Sequence, residues 1–235
     1  MVFPKVWLGS HLLLKLKAFN GCCFGHWNEK SLSLRLHFST LRKDYMSKLP
    51  TTTVDVPTGY EIATLASGCY WCTEAIYQDL KGVERVQSGF SGGHVVAPSY
   101  EEVCTGTTGH AECIQFFYDP KIISFPELLE IFWSTHDPTT LNRQGGDIGP
   151  QYRSAVFYHT EEQRELAEHL KKSIDESGAF ENPIVTEITA FSNFYEAGDY
   201  HNNYFKLNGS QPYCQMVVRP KVEKFKKIFA KKLRD

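Results

Sequence analysis

The stretch Gly68-Cys69-Tyr70-Trp71-Cys72 constrains this chain more than any other, because it joins segments of different periodicity. Before it, Glu61-Ile-Ala-Thr-Leu-Ala-Ser67 alternates as a strand does. After it, Ala75, Ile76 and Leu80 recur at helical spacing until Gly82 ends the helix. Gly68 permits the tight turn between the two. The pattern predicts strand, turn and helix, with Cys69 at the helix N-terminus. Unpaired backbone N–H groups and the positive end of the helix dipole favour an anion there, so the Cys69 thiolate is expected to be stabilised near neutral pH. Cys72 returns to the same helical face and can attack an oxidised Cys69 to close a disulfide. The plainer use of two such residues is as half-buried packing cysteines; their place at a helix start favours reactive thiols.

Seven cysteines, an odd number in a chain without a good secretory signal, argue against a disulfide scaffold and for reduced thiols. Cys-X-X-Cys also suits structural zinc, but such a site wants a second pair at similar spacing. Cys104, Cys113 and Cys214 offer none, so no metal is expected. Cys22 and Cys23 lie in the N-terminal extension, and Cys104 and Cys113 are expected to be buried structural thiols. Cys214 precedes the last helix, where it serves either as a mobile thiol or as an inert one.

Charge divides the chain in two. Residues 1–50 hold eight Lys or Arg against Glu29 and Asp44, a balance of +6, and the remaining seventeen basic and twenty-five acidic residues leave −8 for residues 51–235. The body is mildly acidic, and nothing points to nucleic-acid binding. The extension, basic, poor in acids and carrying Ser10, Ser31, Ser33, Ser39 and Thr40 among leucines and phenylalanines, has the composition of a transit peptide. A mitochondrial destination is expected, the alternative being a cytoplasmic protein, started for example at Met46. Residues 51–59 read as a linker, and residues 60–235, with 42% hydrophobic and 14% aromatic content in the chain, suffice for a single catalytic domain. No segment is long enough to span a bilayer, and no stable membrane association is expected.

Along that domain, residues 83–90 read as a strand, 91–100 as a loop, and the aromatic-rich run Ala111 to Tyr118 as a central strand. Glu112 begins that strand, where its carboxyl is either drawn into an apolar setting or solvated at an edge. Ser124-Phe-Pro-Glu127 is a capping box opening a helix with Leu128, Leu129, Phe132 and Trp133 inward. The long polar loop from His136 to Pro150 carries Asp147, and loops of that length are usually functional. Residues 151–158 read as a strand, Thr160 to Gln163 caps a scaffold helix, and residues 184–191 read as a further strand. The run from Phe194 to Phe205 is dense in aromatic and polar groups. Residues 220–235 form an amphipathic helix with Val222, Phe225, Ile228 and Phe229 inward; packing on the body accounts for it better than a membrane surface does.

Residues alone support a thiol enzyme with a nucleophile at Cys69. The combination of Gly68-Cys-Tyr-Trp-Cys72, Gly89-Phe-Ser-Gly-Gly93, Gly109-His-Ala-Glu112, Asn142-Arg-Gln-Gly145 and Gly149-Pro-Gln-Tyr-Arg-Ser154, in that order, resembles the peptide methionine sulfoxide reductase A family from about Ile62 to Pro220. The family usually has Phe where this chain has Tyr70, an added hydroxyl that alters the pocket's depth or polarity. The resemblance implies a two-layer α+β sandwich, with a mixed β-sheet core, flanking helices and long loops. It implies Cys69 as nucleophile, Glu112, Tyr100 and Tyr152 as partners of the sulfoxide oxygen with Asp147 nearby, and Tyr70 and Trp71 as holders of the substrate methyl group. Cys72 or Cys214 would resolve the sulfenic acid, since members of the family differ in where that cysteine lies.

The implied substrates are the S epimer of methionine sulfoxide, free and in oxidised proteins. The implied reductant is thioredoxin (dithiothreitol in vitro), with no bound cofactor and a monomeric enzyme. Two other classes fit the Cys-X-X-Cys alone: a thioredoxin-like disulfide oxidoreductase and a non-enzymatic zinc or redox-sensing protein. Neither gives a role to the loops bearing tyrosine, glutamate and aspartate.

Overall fold

A computed structural model of the chain describes residues 54–234. The expected presequence, residues 1–50, and with it the expected destination, lie outside the described residues. Residues 54–59 form no helix or strand. Strand β1 (Glu61–Ser67) follows, antiparallel both to β3 (Ala111–Tyr118) and to β6 (Ser154–Tyr158), with Thr64 opposite Gln115 and Ser67 opposite Ser154. Every position of β3 is buried, as a central strand with aromatics on both faces requires. On its other side β2 (Val83–Ser91) runs antiparallel and sets Phe90 against Glu112. The short β7 (Glu187–Ala190) joins β6 in parallel, and β8 (Tyr195–Glu196) joins β2 at the far edge, so the six-stranded sheet reads β7-β6-β1-β3-β2-β8. A parallel pair needs a crossover, and α4 (Glu161–Glu176) supplies it between β6 and β7.

Helices α1 (Tyr70–Tyr77) and α3 (Phe125–Thr135) pack on the sheet through Ile76, Leu128, Leu129, Phe132 and Trp133, all buried. The Ser124–Glu127 capping box is present, with Glu127 accepting from the Ser124 amide at 2.8 Å. The expected α+β sandwich with a mixed sheet is the observed architecture.

Local departures have identifiable causes. Helix α1 stops at Tyr77, short of Gly82, where the Tyr77 hydroxyl donates to the Leu128 carbonyl at 2.9 Å and Leu80 turns aside to bridge Leu233. The loop expected over 91–100 leads into a short helix, α2 (Tyr100–Cys104), begun by a capping box of Ser99 and Glu102. Within the polar loop, β4 (Arg143–Gln144) and β5 (Asp147–Ile148) form a small hairpin. Residues 150–152 make a 3₁₀ turn ahead of β6, so the expected strand starts later. The strand expected over 184–191 shrinks to β7. After the five-residue α5 (Tyr204–Asn208) and a π-helical turn at Cys214–Val218, α6 (Arg219–Ile228) buries Val222 and Phe225. Ile228, expected inward, is exposed because the helix ends there and Phe229 fills the buried position. Lys226 pairs with Asp79 at 2.8 Å, and Lys232 pairs with Glu127, so the basic face of this segment is tied to the body. No described helix is long and apolar enough to cross a membrane.

Candidate active site

Gly68 turns the chain from β1 into α1 at φ +88°, and a Cβ there would lie 2.5 Å from that of Gln144. A left-handed backbone under a close neighbour leaves room for glycine alone. Ser67 and Thr73 hydroxyls, 2.7 Å apart, tie the strand end to the helix. Cys69 therefore occupies the N-cap position of α1, as the spacing predicts, and it is 6% exposed. The Cys72 amide donates to the Cys69 carbonyl at 3.1 Å. Cys72 and Cys214 are buried beside Cys69, near enough for their charges to interact.

The thiolate expected of Cys69 is not what this setting favours. Its thiol donates to the Cys72 sulfur, and that bond together with burial pushes it well above the ordinary thiol value, while the same bond lowers Cys72. The Trp71 amide and the Tyr213 hydroxyl draw Cys69 the other way and are outweighed. Helix-start donors do favour the anion, but water-free surroundings disfavour it more. Cys69 rests as a thiol.

Glu112, at the start of β3, is 2% exposed, and its carboxyl accepts from the Tyr70 amide at 3.2 Å. Burial, then the neighbouring Cys69, pushes Glu112 well above the usual carboxylate range, against that single donor. The apolar alternative thus holds: the setting favours the protonated form of Glu112. Around it stand Tyr100, the first residue of α2, and Tyr152, in the 3₁₀ turn before β6. Both phenols are raised, by burial first and by Glu112 among other neighbours, so both keep their protons. Asp147 lies on β5 and accepts from the Tyr213 hydroxyl at 2.8 Å. Tyr70, buried, and Trp71, half-buried, turn their rings to the same place, 6.1 Å between centroids. The fold brings together every residue singled out above.

It also brings in residues the spacing did not single out. Tyr213 links Asp147 to Cys69 and meets Trp71 edge-on at 5.8 Å. Tyr204 stacks on Trp71 at 3.7 Å and 6°. His201 is packed among Tyr70, Trp71, Tyr100 and Tyr200. His201 and Tyr204 lie in the aromatic-rich run 194–205, whose composition was the available signal, and Tyr213 lies outside it, next to Cys214. Cys104, expected to be buried, is exposed at the end of α2, one helical turn from Tyr100 and close enough to act on its hydroxyl. A five-residue helix has one inward position to offer here, and Val103 takes it. Cys113 is buried, as expected. Among the described residues no three His, Cys, Asp or Glu side chains are grouped so as to hold a metal ion.

A thiol at a helix start, a buried carboxyl beside it and further buried thiols close by make the kind of site a cysteine-based oxidoreductase needs. A profile of the family described as peptide methionine sulfoxide reductase matches residues 61–233, and the chain belongs to that family. The peptide methionine sulfoxide reductase MsrA of Saccharolobus solfataricus is 52% identical over 174 residues, covering 74% of this chain and 97% of the relative. Its counterpart in Thermus thermophilus is 49% identical over 174 residues, covering 74% and 98%. Among solved structures, Mxr1 of Saccharomyces cerevisiae in reduced form aligns with TM-score 0.62 and 34% identity over 69% of this chain and 94% of its own. Methionine sulfoxide reductase A of Corynebacterium diphtheriae aligns with TM-score 0.59 and 33% identity over 68% and 82%. Peptide-methionine (S)-S-oxide reductase is accordingly the enzyme class of this chain.

Proposed function

We propose that the chain reduces methionine S-sulfoxide, free and in oxidised proteins, through a sulfenic acid on Cys69, acting as a monomer without a bound cofactor. The observation that carries this reading is the Glu112 carboxyl buried beside Cys69, where burial raises it well above the usual carboxylate range. A sulfoxide sulfur is a poor electrophile until its oxygen is protonated, so the sulfur attacked by Cys69 needs an acid aimed at that oxygen. Glu112 supplies the proton, and the hydroxyls of Tyr100 and Tyr152 stabilise the oxygen as charge develops on it. The rings of Tyr70 and Trp71 hold the methyl group.

In sum, the S–O bond of the substrate breaks and an S–O bond to Cys69 forms. The thiol proton ends on the new sulfenic oxygen once Glu112 is reprotonated. Methionine leaves as the reduced product and Cys69 as the oxidised one. A neighbouring thiol then condenses with the sulfenic acid, releasing water and leaving a disulfide. Thioredoxin is the proposed reductant of that disulfide, with dithiothreitol serving in vitro.

Both candidates for the resolving thiol are present, and their settings differ. Cys72 is already hydrogen-bonded to Cys69, a bond that lowers it from the ordinary thiol value, whereas Cys214 is pushed up by burial. Cys72 is therefore the expected first attacker. In a single turnover without reductant, Cys72→Ser should make one methionine per enzyme and leave a sulfenic acid trappable with dimedone, while Cys214→Ser should lose two free thiols as the wild type does. A trappable acid in Cys214→Ser alone reverses the order. Reduction of a generic disulfide with no methionine formed would replace the reductase reading by a disulfide oxidoreductase.

The basic, acid-poor first fifty residues support a mitochondrial destination. A fluorescent protein fused behind residues 1–50 is expected to co-localise with mitochondria; cytosolic fluorescence removes the proposal.

A further inference from the structure

Lys221 stands apart from the other cations of α6. It falls three residues after Val218 and four before Phe225, both buried, so it lies on the stripe that the helix turns inward. It is half-buried where Arg219, Lys224, Lys226 and Lys227 are exposed. Lys226 is paired with Asp79 at 2.8 Å, but Lys221 forms no ion pair among the described residues. Its side chain lines a cavity of about 300 Å³ together with His136, Asp137, Gln144 and the exposed Lys224. Gln144 is the wall shared with the catalytic turn. Its side-chain amide accepts from the Asp137 amide at 3.1 Å and donates to the Asp137 carbonyl at 3.0 Å, while its Cβ presses on Gly68. The cavity thus lies behind the turn that leads into Cys69 and Cys72.

A charge in this place acts on Cys72. The hydrogen bond from Cys69 lowers Cys72 most and the Lys221 ammonium lowers it further, while burial, Asp147 on β5 and Cys214 oppose them. His136 adds no positive charge: burial pushes it down to about 4, and its ring nitrogens lie 2.7 Å from the Phe132 carbonyl and 2.8 Å from the Ser154 hydroxyl. Asp137, the carboxylate of the cavity, accepts from the Thr139 amide and hydroxyl at 2.9 and 2.6 Å. The balance changes during turnover. Once Cys69 is a sulfenic acid, the thiol that supports Cys72 in the resting enzyme no longer exists, so the largest favourable influence is lost when Cys72 must attack. The charge of Lys221 persists.

We propose that Lys221 is a positioning residue for the resolving step, its ammonium supplying the positive charge that the Cys72 sulfur needs as it attacks the Cys69 sulfenic acid. The inference rests on the reductase reading above and on Cys72 as the attacker. In that step the S–S bond forms and the S–O bond of Cys69 breaks. The oxygen leaves with its own hydrogen and the proton that Cys72 gave up, as water. The thiolate and not the thiol is the nucleophile, so a charge that keeps the anion populated sets the rate near neutral pH.

The test is the pH dependence of the resolving step in a Cys214→Ser background, where Cys72 is the remaining candidate. After one equivalent of methionine sulfoxide without reductant, decay of the dimedone-trappable sulfenic acid is followed by rapid quench with Lys221 intact, with Lys221→Gln and with Lys221→Arg. At pH 7 Lys221→Gln should decay about threefold more slowly, because the smaller thiolate fraction is partly offset by the greater nucleophilicity of a less acidic thiol. At pH 10, where the thiol is ionised in either protein, the deficit should vanish. Lys221→Arg, which keeps the charge, should keep the profile. The ultraviolet thiolate absorbance that disappears on Cys72→Ser needs no turnover, and its titration midpoint should rise in Lys221→Gln.

A deficit of equal size at every pH marks a structural role and overturns the proposal, as does an unslowed decay at pH 7 or a midpoint that Lys221→Gln leaves in place. A sulfenic acid that persists with Lys221 intact removes Cys72 as the attacker and the proposal with it. If no methionine and no sulfenic acid form at all, the reductase reading fails instead, and the titration midpoint alone decides whether Lys221 acts on Cys72.

Discussion

Cys69→Ser is expected to form no methionine in a single turnover, a loss of ~10³-fold or more, because a serine oxygen cannot take up the substrate's oxygen as a sulfur does in forming a sulfenic acid. The substitution is nearly isosteric in a buried position, so the fold should persist. The loss should appear whatever reductant is supplied, which separates the nucleophile from resolving cysteines whose removal spares the first turnover. Chromatography of methionine formed per enzyme is the measurement. Wild-type amounts of methionine from Cys69→Ser would transfer the nucleophile's role to Cys72, the other thiol at the start of α1.

Glu112→Gln carries the second-largest expected effect. The amide oxygen can still accept from Tyr70, but the acidic proton is gone, and general acids of this kind are worth roughly 10²–10⁴-fold. The deficit should widen as pH rises, since at low pH hydronium replaces part of the missing acid. An unchanged rate of sulfenic acid formation at pH 8 excludes Glu112 from the acid role.

Stability should move the opposite way. The folded-state value of Glu112 is raised, so above the ordinary carboxyl value the unfolded chain has released a proton that the native state still holds, and the native state loses ground as pH climbs. Glu112→Gln removes that penalty. Its unfolding free energy should exceed that of the wild type at neutral pH, with a gap growing by about 1.4 kcal/mol per pH unit between the two carboxyl values. Urea unfolding from pH 5 to 8 reads it. A variant less stable than wild type throughout this range would mean that the carboxyl is ionised in the fold. Lower activity with higher stability is the signature of a group held in an unfavourable setting for its chemistry.

The neutral Cys69 thiol completes this account. Burial raises both Cys69 and Glu112, so the setting favours the uncharged form of each over an uncompensated buried charge. In the proposed reaction the proton leaves the thiol as the sulfoxide oxygen receives one.

Much of this was legible in the residues before any fold was known. Alternation before Ser67, a glycine and helical spacing after it placed Cys69 at a helix start, because these patterns follow from local backbone geometry and the side on which each side chain falls. The same holds for the capping box at Ser124 and for β3, whose aromatics on both faces require a central strand. The ordered motifs carried the family, and with it Glu112, Tyr100, Tyr152 and Asp147.

What the sequence by itself could not determine is how far water is excluded. The ordinary expectation for a cysteine at an N-cap is a stabilised anion, and only the hydrogen bond to Cys72 and the core packed around Cys69 turn the balance towards the thiol. Burial of Glu112 was one of two open alternatives until β1, β2 and α1 closed over it, since a single glutamate at a strand start carries no record of its neighbours. The exposure of Cys104 and of Ile228 depends on where short helices end. The pairing of Tyr70 with His201 joins residues 131 positions apart, beyond the reach of any local pattern. Local order in this chain follows from the alternation and spacing of its side chains, whereas protonation, depth and partnership at the site arise from contacts among distant residues and are decided by tertiary structure alone.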